Sequence, residues 1–159
     1  MLGSDAEALS VRDGGMVRLR GGNILRGSNG GGVAVTDHAT LIQGGGHDIF
    51  NGEFEITGMS YARVRNVNIV GDVDISRHSG LRLRDDLADG VATVAGRVTI
   101  REDSYARMEG RDSGRTVDIT GEVRCFDTES SLEESGVVTY TGTDCIDFNQ
   151  PEPELPPVL

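Results

Sequence analysis

A glycine returns along this chain with the same company each time. Gly52 is followed by Phe54, Ile56, Ser60, Ala62 and Val64, Gly71 by Val73, Ile75, Ser79, Leu81 and Leu83, and Gly96 by Val98, Ile100, Ser104, Ala106 and Met108. Weaker copies place Leu9, Val11, Gly15, Val17 and Leu19 in an early coil and Val33, Val35, Ala39 and Leu41 in the next. Gly121, Val123 and Cys125 open a sixth, and Gly142 a last, irregular one. A third apolar pair (Val67/Ile69, Ala92/Val94, Val117/Ile119, Val138/Tyr140) precedes each later glycine. Repetition at this period marks a solenoid.

Each repeat contains three short segments that alternate apolar and polar residues, the pattern of strands with one buried face. Segments this short cannot bury that face alone, so successive coils must stack over a shared core. A helical reading fails because β-branched residues alternate and glycines interrupt every ~10 residues. The 23 glycines, with no collagen-like period, fit frequent tight turns. The expected fold is all-β, a right-handed parallel β-helix of about seven coils. All four prolines, Pro151, Pro153, Pro156 and Pro157, fall after the last repeat, as strands that donate to both neighbours require. The division expected is a β-helix domain over 1–148 and an acidic, Pro-rich tail over 149–159.

The repeat geometry resembles the right-handed parallel β-helix superfamily: pectate-lyase-like proteins, phage tailspikes, adhesin passengers and bactofilin filaments. The resemblance covers roughly residues 7–148 and concerns architecture, which in this group does not fix function. Residues 1–6 are too few for an amphipathic capping helix. An uncapped coil offers open backbone groups, which suits a homo-oligomer or a neighbouring solenoid domain. The Gly-rich first coils covering their own end is the competing reading.

The net charge of −11 argues against general nucleic-acid binding and against anionic membranes. No stretch approaches the ~18 apolar residues of a membrane span. No basic segment followed by an apolar one opens the chain, leaving a cytoplasmic protein or one whose signal has been removed.

Alternation also fixes which side chains point outward. On the second strand of each coil these include Arg63, Arg65, Arg82, Arg84 and Arg107, so that Arg63, Arg82 and Arg107 align in a ladder. Like charges one rung apart (~4.8 Å) repel by roughly 1 kcal/mol in water. Two readings follow: a site for an acidic polysaccharide or the acidic face of a partner subunit, or compensation by Asp85, Asp86, Glu102 and Asp103. The first strand carries the opposite sign, with Glu53 and Glu55 one coil from Asp72 and Asp74. Four carboxylates could hold Ca²⁺, although no calcium-loop motif surrounds them and cross-strand salt bridges compete. No other cofactor is expected.

Cys125 takes an inward strand position and Cys145 lies about one coil on, within reach of a disulfide. Two buried thiols are the alternative. Ser60, Ser79 and Ser104 recur at one place, as at a tight corner. His38, His47 and His78 match no metal spacing.

No catalytic residues stand out. The reading favoured is a non-enzymatic structural or binding module of a surface, fibre or secreted assembly, extracellular or on the cell surface. The alternatives are a polysaccharide lyase or hydrolase, or a bactofilin-like cytoplasmic filament subunit. Lyases of this resemblance pair a calcium-binding acid cluster with an Arg base. Here the acids and arginines lie on different strands, with no long loops to wall a cleft.

Overall fold

The computed structural model describes residues 7–26, 32–44, 47–85, 91–111 and 115–145 and is an all-β parallel solenoid. Among the described residues the first coil holds β1 (Leu9–Val11), β2 (Met16–Leu19) and β3 (Ile24–Arg26). The second holds β4 (Val33–Thr36), β5 (Thr40–Gln43) and β6 (Asp48–Asn51), and the third β7 (Phe54–Thr57), β8 (Tyr61–Arg65) and β9 (Val67–Ile69). Next come β10 (Val73–Ile75), β11 (Gly80–Asp85) and β12 (Val91–Val94), then β13 (Val98–Ile100), β14 (Tyr105–Gly110) and β15 (Thr116–Ile119). The last set is β16 (Val123–Cys125), β17 (Ser131–Gly136) and β18 (Val138–Thr139).

Each strand pairs in parallel with its counterpart one coil away, giving three six-stranded sheets. Sheet 1 begins with β1, sheet 2 with β2 and sheet 3 with β3. The solenoid makes about five turns rather than seven. Of the coil expected at Gly142, the described residues show one bridge, Val123 with Thr143. That bridge keeps register, so Cys145 faces Cys125, and the two form a disulfide with Cα atoms 4.9 Å apart. The cross-link therefore secures the final rung where regular pairing ends. Residues 149–159 lie outside the described residues.

The core is a set of columns in which like sits on like. Val33, Phe54, Val73, Val98 and Val123 form one sheet 1 column and Val35, Ile56, Ile75 and Ile100 another, each at most 1 % exposed. Sheet 2 contributes Leu41, Ala62, Leu81, Ala106 and Leu132. Ala62 belongs to the coil that must also house Phe54, whose ring meets Phe50 edge-on at 5.3 Å. Alternating large and small side chains lets such layers fill without voids.

The corners explain two features of the repeat. Between sheets 1 and 2, consecutive residues occupy left-handed backbone in the first five coils, for example Asp37 and His38, or Arg77 and His78. A small residue must follow, and where it is serine its hydroxyl works. The Ala39, Ser60 and Ser79 amides donate to Ser60, Ser79 and Ser104 Oγ at 3.1 Å, and Ser104 N donates to Ser130 Oγ at 3.3 Å. This buried ladder satisfies amides that the turn removes from the sheet. At the opposite corner, a Cβ on Gly71 would lie 2.4 Å from the Gly52 carbonyl oxygen, and one on Gly121 2.7 Å from that of Gly96. The marker residue is glycine because adjacent backbones touch there.

Ile75→Ala should lower stability by about 2–5 kcal/mol through the cavity left in a full column. A loss below ~0.5 kcal/mol, as at a surface site, would contradict this packing. Reducing the disulfide should cost about 2–4 kcal/mol, read as an earlier denaturant midpoint with reductant. An unchanged midpoint would mean that the cross-link does not hold the last rung.

A candidate binding face on sheet 2

Inward Ala62 and Val64, Leu81 and Leu83, and Ala106 and Met108 force the residues between them outward, and in-register pairing stacks these into three columns. The first reads Tyr61, Gly80, Tyr105, Ser131, the second Arg63, Arg82, Arg107, Glu133, and the third Arg65, Arg84, Glu109, Ser135. All five arginines singled out in the sequence thus share one face.

Glu109 holds this array together. It is only 8 % exposed. Arg82 donates to it through Nε at 2.8 Å and Nη2 at 3.1 Å, Arg107 Nε lies 2.8 Å away and Arg84 Nε 4.0 Å. Arg107 also approaches Glu133 at 3.6 Å. Burial alone would push the Glu109 carboxyl up. The Arg82 hydrogen bonds and the charges of Arg82, Arg107 and Arg84 outweigh it and hold the group below its ordinary value.

Among the described residues Glu109 is thus an organising acid that the sequence reading did not include. Glu102 pairs instead with Arg77 at 3.8 Å and Asp103 with His78 at 3.3 Å, while Asp86 lies outside the described residues. Asp85 is fully buried at the inner end of β11. Arg63 has no ion pair among the described residues, and its Nε, like that of Arg107, is buried without a hydrogen-bond partner.

Two clefts flank the columns. One of ≈ 330 Å³ is lined by Arg82, Arg84, Glu109, Gly110, Arg111, Ser135 and Gly136. The other, ≈ 290 Å³, lies beside Tyr105 and includes Asp103, Glu129, Ser131 and Glu133. Tyr105 lies across Gly80, where an added Cβ would be 2.3 Å from the ring's Cζ. The sequence reading overlooked both tyrosines, although Tyr61 and Tyr105 stand two positions before Arg63 and Arg107, as Gly80 does before Arg82.

The sheet 1 carboxylates are arranged differently. Glu55 is paired in register with Asp74, and Asp74 meets Arg101 at 3.0 Å. Asp72 accepts the Arg97 amide at 2.8 Å and faces its guanidinium at 3.8 Å. Burial, then Glu53, Asp74 and Glu7, push the Glu55 carboxyl up, against the pull of Arg101. Among the described residues no three His, Cys, Asp or Glu side chains gather as a metal site.

Because its folded value is depressed, ionised Glu109 stabilises the fold above the carboxyl's ordinary value. That contribution is lost as pH falls through the lowered folded value. Glu109→Gln should cost roughly 1–3 kcal/mol at neutral pH and flatten the acid limb of the stability profile. A variant with the parent's acid limb would remove Glu109 as the organising anion. Compared with known proteins, the chain matches no family model, no curated protein and no solved structure.

Proposed function

We propose that this chain is a non-enzymatic module of the right-handed β-helix type, part of a surface, fibre or secreted assembly. Its role is to present the sheet 2 arginine face to a polyanionic partner. The observation that carries this reading is Arg63, a partly buried guanidinium without a counter-ion among the described residues, set in a five-arginine array. Glu109 pairs with Arg82, Arg84 and Arg107, and Glu133 with Arg107, and neither pairs with Arg63. On a chain of net charge −11 this leaves one face able to attract anions locally.

Two further observations support it. The Cys125–Cys145 disulfide is of a kind that persists in oxidising compartments, in keeping with an extracellular or cell-surface protein. Glu109, the least exposed carboxylate on the face, is held ionised by arginines, which suits it to organising charge and not to donating a proton.

Arg63→Gln is the informative substitution, because Arg82 and Arg107 also support Glu109. Binding of polygalacturonate or inorganic polyphosphate at low salt should weaken roughly tenfold with the unfolding midpoint unchanged, and should weaken for the parent as salt rises. A parent protein that binds no polyanion at low salt defeats the proposal.

A further inference from the structure

The three columns and two clefts of sheet 2 differ in chemistry, and the difference narrows the ligand. Tyr61 and Tyr105 are two rungs apart, roughly 10 Å, with Gly80 between them. Gly80 has no side chain to rise between the rings, and Tyr105 fills that space while staying 45 % exposed. An aromatic ring on a flat sheet face offers a π-surface with a polar tip. Burial and then Tyr61 push the Tyr105 phenol up, so it remains a neutral donor. Toward the sheet 1 corner lie the carboxylates Asp103 and Glu129, while Ser131 continues the tyrosine column and Glu133 the arginine column. On the opposite side lie Arg82, Arg84 and Arg111 with Ser135.

Resting on the polyanion reading above, we infer that this face is a binding site for an acidic glycan. The ligand is a chain of pyranose rings bearing carboxylate or sulfate groups, laid along the solenoid axis. The C–H-rich faces of its sugars seat on Tyr61 and Tyr105. Its hydroxyls meet the acceptors of Asp103 and Glu129, and its anionic groups meet Arg63, Arg82 and Arg84. A ligand anionic on every edge, such as polyphosphate, would face repulsion from the Asp103–Glu129 edge. A neutral glycan would leave the guanidinium edge unused. A single-stranded nucleic acid could also stack on the tyrosines, but its phosphates would run against the same carboxylates and the overall negative charge. Sugar rings advance about one rung per residue in an extended chain, so a glycan presents its groups at the spacing of the columns.

Calorimetric titration of the full chain distinguishes these ligands. The probes are oligogalacturonate, a sulfated dextran oligosaccharide, inorganic polyphosphate, oligothymidylate and a neutral gluco-oligosaccharide. The variants are Tyr61→Ala with Tyr105→Ala, and Gly80→Ala. Gly80 is outside the left-handed region, so alanine suits its backbone, but the new methyl group must push the Tyr105 ring aside. At least one acidic oligosaccharide should bind the parent more tightly than polyphosphate or oligothymidylate, and the carboxylated and sulfated probes show which anion is preferred. Both variants should keep the parent's unfolding midpoint and lose about tenfold in that affinity, while polyphosphate binding stays as it was. Polyphosphate or oligothymidylate as the tightest ligand, or tyrosine variants that bind glycan like the parent, would overturn the glycan assignment and leave the polyanion reading standing. A parent that binds none of the charged probes would defeat both.

Discussion

In-register stacking of each coil on the one below is the constraint on which the molecule depends. Parallel pairing at ~4.8 Å puts every side chain directly over its counterpart, and the three sheets obey this along their length. Inside, it turns a modest repeat into continuous columns of Val, Ile and Leu that no single coil could bury. At the corners it requires either no side chain, as at Gly71 and Gly121, or a hydroxyl that takes over a backbone acceptor's work, as at Ser79 and Ser104.

Outside, the same rule stacks like charges, and the two charged sheets resolve the repulsion differently. On sheet 1 the carboxylates are met by arginines from neighbouring turns, Arg97 for Asp72 and Arg101 for Asp74, in exposed pairs that contribute little each. On sheet 2 one nearly buried carboxylate serves three guanidinium groups. Removing one arginine from that cluster leaves others to hold Glu109, but removing Glu109 takes away the one carboxylate that Arg82, Arg84 and Arg107 share. Such an arrangement fixes the positions of three guanidinium groups around a single carboxylate.

Much of this was legible in the sequence because alternation and coil spacing determine orientation once register is known. The inward columns, the shared face of the five arginines and the alignment of Cys125 with Cys145 all follow from counting. Glu109 escaped because the repeat was followed only to Met108, whereas β14 runs to Gly110 and carries one further outward position. Tyr61 and Tyr105 escaped because a column interrupted by glycine does not read as a column until the ring is seen lying over Gly80. The weak early repeats also have a physical reason. Gln43 and Asp48 take inward positions and act as backbone partners, Gln43 accepting the Arg65 amide at 2.5 Å and Asp48 the Asn23 amide at 2.6 Å. Gly142 matches the marker glycine and so reads as a seventh coil, while among the described residues beyond it only Thr143 finds a strand partner.

Variation in coil length falls mainly where sheet 2 turns into sheet 3. Asn66 alone joins β8 to β9, and Val137 alone joins β17 to β18, whereas residues 86–90 and 111–115 connect the intervening strands. The columns are indifferent to these changes because register is reset by the next strand. The edge of the arginine face is not indifferent, since Arg111 and Gly110 line its cleft. Positions that hold the fold are thus separated from positions that can vary the face. A flat, repeating surface gains little from any single rung, but a repeating ligand engages several at once, and linked contacts raise affinity beyond that of each alone. The periodicity that builds the core therefore also sets the spacing at which the outer face presents its side chains.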